Sequence, residues 1–350
     1  MHTVLLKDDN DVLVFGANYY GQLGLGHNQN QNKPITLMQG IAIRQIACGC
    51  HHTVILQDDN DVLVFGCNDF GQLGLGHNRN QNKPVTLMQG IAIRQIACGC
   101  YHTVILQDNN DVLVFGANYS GQLGLGHNDA QNKPQILMKG IAIRQISCGE
   151  AHTVILQENN DVLVFGANDS GQLGLGHNDD QNKPQTLMQG IPVRQITCGA
   201  YHTVILQDNN DVLVFGVNRW GQLGLGHYDN QNKPITLMRG IPIRQITCGG
   251  YHTVILQADN DVVVFGNNED GQLGLGHNHT QNKPITLMHN VAQLQGYYVN
   301  NKWSSERHYQ FSATFRNRIY YFLLVHKRNQ NNTSLKIPKF VLFEIFKHVL

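Results

Sequence analysis

Short apolar blocks alternate with short polar blocks along most of the chain, and the arrangement recurs every 50 residues. Within one period, Thr53–Leu56 and Val62–Phe65 are apolar and rich in β-branched side chains, which is typical of buried strands. The polar run Asp58–Asp61 between them has the composition of a tight turn. The three blocks together predict a β-hairpin in every period.

The second half of each period predicts two further strands. Glycines interrupt regular structure after the hairpin, and the resulting loop is expected to run to Asn82. Pro84 then opens a third strand, Val85–Met88, and Gly90 turns the chain into a fourth, Ile91–Cys98. Four short strands with glycine between them match one blade of a β-propeller and leave no room for a helix.

The same unit occurs six times with little change. Each copy contains Asp-Val-Leu-Val-Phe-Gly-Xaa-Asn followed by Gly-Gln-Leu-Gly-Leu-Gly-His, and the copies begin at Asp11, Asp61, Asp111, Asp161, Asp211 and Asp261. A fixed period of this length indicates a propeller or a solenoid. A solenoid needs polar caps, whereas this chain begins inside a unit and carries a degraded copy of the missing strand at Val291–Tyr298. Pairing that segment with the N-terminal hairpin would close a ring of six blades and remove both sheet edges.

These motifs resemble the regulator of chromosome condensation repeat family. The resemblance rests on Val-Phe-Gly-Xaa-Asn-Xaa-Xaa-Gly-Gln-Leu-Gly-Leu-Gly and on Cys-Gly-Xaa-Xaa-His-Thr, and it covers residues 1 to about 290. It implies an all-β propeller, in that family usually of seven blades. Six units leave three arrangements open: a six-bladed ring, an incomplete ring, or a seventh blade built from the divergent C-terminal sequence.

Composition narrows the classes of partner. With 350 residues, 41% of them hydrophobic, the chain can bury a large core. Its 25 basic and 25 acidic residues cancel, which argues against nucleic acid as a partner. The longest apolar stretches, Ile319–Val325 and Phe340–Phe346, are too short to span a bilayer, so no membrane association is expected.

Cysteine usage and the N-terminus indicate the compartment. Met1–Val4 runs directly into the first repeat, so no secretory signal is predicted. Equivalent positions on separate units are not expected to face one another, so the five cysteines at one repeat position are interpreted as buried thiols of a reducing compartment. These are Cys48, Cys98, Cys148, Cys198 and Cys248. An intracellular protein, cytoplasmic or nuclear, is therefore expected.

The copies differ at three places, and strand direction puts all three at one end of the blades. They are the pair after Phe-Gly-Xaa-Asn, the pair before His-Thr, and the pair after Gly-His-Asn. Aromatic residues and arginine are frequent anchors at interfaces, so this end is predicted to bind a protein partner. Free drift of exposed loop tips is the alternative interpretation. The predicted partner-binding residues are Tyr19, Tyr20, Asp69, Phe70, Tyr101, Tyr119, Tyr201, Arg219, Trp220, Tyr251, Glu269 and Asp270.

Residues that could carry chemistry are explained more simply by structure. Twelve histidines occupy two repeat positions, one before Thr and one after Leu-Gly, and each is expected to hydrogen-bond a neighbouring backbone group rather than a metal. A metal site at Cys50, His51 and Cys100 is the less favoured alternative. Gly-Gln-Leu-Gly-Leu-Gly is not followed by a helix and so does not predict a phosphate loop. No catalytic residues, metal site or cofactor are predicted.

The last sixth of the chain has a different pattern. Apolar residues at helical spacing from Phe311 to Leu323 and again after Pro338 predict a helical hairpin, with a domain boundary between residues 298 and 299. Residues 337–350 are similar to the opening helix of an F-box, which implies docking on a cullin-type ubiquitin ligase. The alternative is that the hairpin only packs on the propeller. The residues that would dock the ligase are Pro338, Val341, Leu342, Ile345 and Phe346.

Three functions follow, in order of preference. The first is a non-catalytic scaffold that binds a protein partner through the variable loops. The second is a substrate receptor that contacts ubiquitin ligase subunits through the C-terminal helices. The third is nucleotide exchange on a small GTPase, which is the activity of the family's founding member and there uses a β-wedge inserted in one blade. Every unit from residue 11 to 290 keeps the same length, which leaves no room for such a wedge.

Overall fold

The computed structural model describes residues 2–7 and 9–289. These residues form six antiparallel sheets in chain order, one per blade, and confirm the predicted propeller of six blades. The described part of the chain contains strands and turns but no helix, and so nothing in it could cross a membrane as an apolar helix. The predicted helical hairpin and Val291–Tyr298 lie outside the described residues, so the domain boundary and the closing strand stay predictions.

The strands are short and repeat with little variation in length. Blades 1 to 3 contain β1 His2–Leu6, β2 Val12–Gly16, β3 Gln31–Met38, β4 Ile43–Cys48, β5 His52–Gln57, β6 Val62–Gly66, β7 Gln81–Met88, β8 Ile93–Cys98, β9 His102–Gln107, β10 Val112–Gly116 and β11 Gln131–Met138. Blades 4 to 6 contain β12 Ile143–Cys148, β13 His152–Gln157, β14 Val162–Gly166, β15 Gln181–Met188, β16 Val193–Cys198, β17 His202–Gln207, β18 Val212–Gly216, β19 Gln231–Met238, β20 Ile243–Cys248, β21 His252–Gln257, β22 Val262–Gly266 and β23 Gln281–Met288.

Each blade takes its innermost strand from the end of the preceding repeat. The second sheet has the order β4-β5-β6-β7, and the four later sheets follow the same rule. The first sheet has three strands, β1-β2-β3, within the described residues. The segment similar in sequence to the innermost strands of the other blades and not assigned to any of them is residues 291–298.

The predicted hairpin is confirmed in register and in turn. Val54 pairs with Val64 and Leu56 with Val62. Asn60 closes the turn with its backbone in the left-handed region, at φ 72°. Its backbone N–H donates to the Gln57 carbonyl at 3.1 Å. Asparagine tolerates this conformation better than other side chains do, which explains its recurrence at the same place in every copy.

The last two strands begin at other residues than predicted. β7 begins at Gln81 rather than after Pro84, and β8 begins at Ile93 rather than Ile91. Proline is tolerated inside β7 because this strand is the outer edge of the sheet, where its missing N–H breaks no ladder. The pairing of β6 with β7 also shifts register between Val64 and Gly66, which lets β7 extend past the proline.

The hydrophobic core lies between blades. Val12, Val14 and Leu23 of blade 1 pack with Ile55 and Phe65 of blade 2, and the same contact recurs along the ring. We call each such interface a seam. The glycine-rich loop contributes to it directly: a Cβ on Gly74 would lie 3.0 Å from the Phe115 ring of the next blade. A single blade therefore does not form a hydrophobic core by itself. Its apolar side chains are buried only against those of a neighbouring blade.

Buried histidines join successive blades across the five seams from blade 1 to blade 6. His52 Nε2 lies 3.0 Å from Thr103 Oγ1 of the next blade, and that hydroxyl donates to the Gln72 carbonyl at 2.8 Å. Since the hydroxyl proton is used there, the histidine must be the donor, through Nε2–H. The predicted backbone partner was wrong for His52, His102, His152 and His202, because their partner is a threonine side chain one blade away.

The other set of histidines behaves as predicted. His77 Nδ1 accepts a hydrogen bond from the Arg79 backbone N–H at 3.2 Å, and the same bond recurs in all six copies. These rings therefore fix the loop after the glycine-rich segment.

One seam differs from the others. Five core clusters combine residues of two successive blades, whereas the sixth, which includes Val264 and Leu273, contains described residues of blade 6 alone. Phe15 of blade 1, equivalent to the fully buried Phe65 and Phe115, is only half-buried. Within residues 2–7 and 9–289, blades 6 and 1 therefore do not form the phenylalanine contact that joins the other blades.

Candidate protein-binding face

The three variable places of each repeat meet at one end of the blades, as predicted. Pairing of His52 with Gly66 brings residues 50–51 next to residues 67–70. The Asn68 backbone N–H donates to Asn80 Oδ1 at 2.6 Å. This bond holds the third variable place, the pair after Gly-His-Asn, beside the first. We call this end the variable face. The opposite end holds the repeated Asp/Asn turns.

The residues two positions before each His-Thr come together around the axis of the ring. Cys100 N–H donates to the Glu150 carbonyl at 3.0 Å, Glu150 N–H to the Ala200 carbonyl at 2.9 Å, and Ala200 N–H to the Gly250 carbonyl at 2.9 Å. Equivalent positions of neighbouring blades are thus in direct contact here. We call this line of residues the inner rim of the variable face.

This contact corrects the expectation that equivalent positions do not face one another. Cys50 and Cys100 form a disulfide across the seam between blades 2 and 3, with their Cα atoms 4.5 Å apart. Both sulfurs of the alternative metal site are therefore used in a bond. No group of three or more His, Cys, Asp or Glu side chains with metal-binding geometry occurs among the described residues.

An aromatic cluster includes the residues that follow the two disulfide cysteines, His51 and Tyr101. The ring centroids of Tyr20 and Tyr101 lie 5.1 and 6.0 Å from that of His51. Phe70 packs edge-on against both Tyr101 and Tyr119, at 5.1 and 5.7 Å. The structure therefore brings together four of the predicted partner-binding residues from blades 1, 2 and 3.

A second cluster lies on blades 5 and 6. Tyr201 and Tyr251 stack with ring centroids 6.0 Å apart, and the Arg219 guanidinium lies 6.0 Å from the Tyr251 centroid. This distance is at the outer limit of a cation–π contact. The arrangement shows that a tyrosine ring of the variable face lies within reach of a guanidinium.

The two residues of each loop tip differ in exposure. The first points to solvent: Tyr19 is 68% and Tyr119 64% exposed, and Asp69, Arg219 and Glu269 are exposed as well. Trp220 and Phe70, expected to be exposed, are half-buried instead.

The second residue of each tip is also held through its backbone. The N–H of the second tip residue donates to the following glutamine side chain, at 3.0 Å for Phe70 and 2.9 Å for Trp220. The bond fixes the backbone of the tip but does not by itself decide whether the side chain is buried. Asp270, in the sixth copy, makes the same bond to Gln272 but remains exposed.

Two residues of this face were not selected from the sequence. Tyr228, 51% exposed, replaces the asparagine that follows Gly-His in the other five copies. Glu150 is the charged member of the inner rim, where the other described blades carry Cys, Ala or Gly. In both cases the available signal was a single departure from an otherwise repeated position.

Glu150 is held by a tyrosine from the next blade. Tyr201 Oη donates to Glu150 Oε1 at 2.5 Å. Burial and this hydrogen bond raise the pKa of the Tyr201 phenol, so the hydroxyl keeps its proton and remains a donor. Burial also raises the pKa of Tyr101, with the Glu150 charge among the smaller causes. The carboxylate therefore lies within the electrostatic reach of two phenols on the inner side of the variable face.

The residues predicted to dock a ubiquitin ligase, from Pro338 to Phe346, lie outside the described residues. The F-box interpretation therefore stays a prediction.

Fold and site together define a tandem-repeat β-propeller with one variable loop face. Residues 11–322 match the family model of the RCC1-like domain, and the chain belongs to that family. The match extends into the segment that was predicted to be helical.

Solved structures of related proteins agree with this family. Human WBSCR16 is 25% identical to this chain, with a TM-score of 0.71 over 79% of this chain and 76% of that one. Prp20p from Saccharomyces cerevisiae is 21% identical, with a TM-score of 0.72 over 84% and 76%. The yeast RCC1 (Prp20) structure bound to Kap60 is 20% identical, with a TM-score of 0.73 over 84% and 74%. At these last two identities the likeness concerns the fold.

Proposed function

We propose that this protein is a non-catalytic scaffold that binds a protein partner through the variable face. The observation that carries the proposal is the collection of two aromatic clusters and exposed tyrosines at one end of an otherwise repeated ring. Tyrosine, tryptophan and arginine combine large contact area with few rotatable bonds, which suits them to anchor interfaces. Among residues 9–289, the opposite end repeats the same Asn turn in each blade and lacks a comparable variety of side chains.

A related protein supports the choice of a protein as partner. Prp20p is described as binding Gsp1p and histones. A small GTPase is therefore one candidate partner for this chain. Nucleotide exchange has less support, because the described blades have nearly the same strand bounds and none carries an inserted wedge between residues 9 and 289.

The test compares exposed side chains at the two ends of the ring. A triple variant, Tyr19→Ser, Tyr119→Ser and Arg219→Ser, removes anchors from the variable face without opening the core. Its matched control, Ile91→Ser and Ile141→Ser, changes exposed apolar residues at the opposite end, where each is 44% exposed. Each full-length protein is used to recover partners from host extract, and affinity is then measured with the purified partner.

We expect the triple variant to weaken binding by about 2 kcal/mol or more, as for other interface anchors, with the melting temperature unchanged. The control should bind like the unchanged protein. Equal loss in both variants, or loss in the control alone, would place the interface elsewhere. Recovery of cullin-ligase subunits that depends on residues 338–350 would favour the receptor function instead.

A further inference from the structure

Charge is distributed unevenly on the variable face. Its variable positions carry nine carboxylates against two guanidinium groups, Arg79 and Arg219. The repeated lysines, such as Lys83, are on the outermost strands and so are farthest from the axis. The acidic residues are Asp69, Asp129, Glu150, Asp169, Asp179, Asp180, Asp229, Glu269 and Asp270.

Glu150 occupies a distinct place within this set, because it is on the inner rim. Its backbone N–H and carbonyl are both used in the rim hydrogen bonds, so the position of its Cα is fixed by the ring. Tyr201 Oη orients one carboxylate oxygen. A single carboxylate with a fixed backbone and an oriented oxygen is preorganised to accept hydrogen bonds from a cation.

Aromatic rings from the neighbouring blades complete the surroundings. Tyr101 lies on the blade before Glu150, and Tyr201 stacks on Tyr251 on the blades after it. Arginine and lysine side chains bind favourably where a carboxylate and tyrosine faces occur together, since the ring faces carry negative potential. The contact of Arg219 with Tyr251 is an example of this pairing already present in the chain.

From these observations we infer that Glu150, with Tyr201 and Tyr101, forms a site for an arginine or lysine side chain of a basic segment in the protein partner. This inference rests on the proposed function, because it names the chemistry of the partner for the same face. The partner's cation would contact the Glu150 carboxylate beside the phenols, and the surrounding acidic loop tips would attract the rest of the basic segment.

A labelled peptide of alternating arginine and glycine tests the site directly. The same peptide with citrulline in place of arginine keeps the planar shape but replaces the cation with a neutral urea, in which one nitrogen donor group becomes a carbonyl acceptor. Binding is measured by fluorescence anisotropy to full-length protein at moderate salt. The variants are Glu150→Gln, which removes the inner-rim charge, and Glu158→Gln, which removes a charge of the same type from an exposed turn at the opposite end of the same blade.

We expect the arginine peptide to bind and the citrulline peptide to bind at least ten-fold more weakly. Glu150→Gln should weaken the arginine peptide by roughly ten-fold, the usual scale for a hydrogen bond to a charged group, while Glu158→Gln leaves binding unchanged. Tyr201→Phe, which keeps the ring and frees the carboxylate, should have a smaller effect than Glu150→Gln.

Absence of binding by the arginine peptide, equal binding of the citrulline peptide, or equal effects of the two glutamine variants would overturn the inference. The failure of the proposed function is a separate result. If the triple variant loses the partner recovered from extract while Glu150→Gln keeps it, the variable face is the interface but the basic-segment site is wrong. If neither change affects partner binding, both are wrong.

Discussion

The buried histidines perform one task, which is to donate a hydrogen bond across a seam. His52, His102, His152 and His202 are completely buried, and burial lowers the pKa of each imidazole from 6.5 to about 3. The neutral Nε2–H tautomer satisfies the threonine of the next blade. A protonated ring would place a charge in the buried seam, at a large cost in free energy.

This burial predicts that the stability of the fold decreases strongly as the pH falls below 6.5. Unfolded histidine titrates near pH 6.5, so between pH 6.5 and 3 the unfolded chain binds more protons than the folded one. The free energy of unfolding is therefore unaffected by these histidines above pH 6.5. As the pH falls from 6.5 toward 3, it decreases by about 1.4 kcal/mol per pH unit for each histidine. Urea denaturation at pH 7.5 and 5.0 should show a large loss in the free energy of unfolding.

A single substitution provides the control. His102→Gln keeps a donor for Thr153 and does not titrate. It should therefore make the free energy of unfolding less dependent on pH, by the contribution of one histidine, even if the variant is less stable at both pH values. Equal stability at the two pH values would show that these rings can be protonated within the fold.

At the scale of the element, the blade is a local unit in sequence but not in structure. The hairpin could be predicted because its two strands and its turn are neighbours in the chain, and β5 with β6 confirms it. Partners one period apart could not, since His52 and Thr103 meet only through the fixed angle between blades. The same limit applies to the candidate site. Strand direction predicted which end carries the variable residues, whereas the Glu150–Tyr201 contact required the position of the next blade.

The disulfide between blades 2 and 3 makes a prediction about thiol content. The chain has eight cysteines, and one disulfide uses two of them, so eight minus two leaves six thiols. Titration of the denatured, unreduced protein should count six, and eight after reduction. A count of eight before reduction would contradict the disulfide.

Loss of this bond should also affect stability. It closes a loop of 50 residues, and disulfides over such loops typically stabilise a fold by about 2–4 kcal/mol. Cys148→Ser is the control, because Cys148 is a free thiol and its substitution removes a sulfur atom but no disulfide. Cys100→Ser should lower the free energy of unfolding by more than Cys148→Ser does.

At the scale of the whole molecule, the burial of each seam determines how much it contributes to the free energy of unfolding. Phe165 is fully buried between blades 3 and 4, whereas Phe15, at the equivalent position of blade 1, is half-buried. Phe165→Ala should lower the free energy of unfolding by about 3–5 kcal/mol, the usual cost for a buried phenylalanine. Phe15→Ala should cost clearly less. Equal losses in chemical denaturation would show that Phe15 is covered as completely as its equivalents.

Since the described seams use the same residues, they are interchangeable. Removal of one whole period, such as residues 99–148, would rejoin a blade to a neighbour through the same phenylalanine, glycine, histidine and threonine contacts that were lost. The chain can therefore change length in steps of 50 residues while it keeps the same contacts between blades, although removal of this particular period also removes Cys100 and its disulfide to Cys50. Duplication and loss of whole copies during DNA recombination would thus reuse the same seams, and each product would carry a different order of side chains on the variable face.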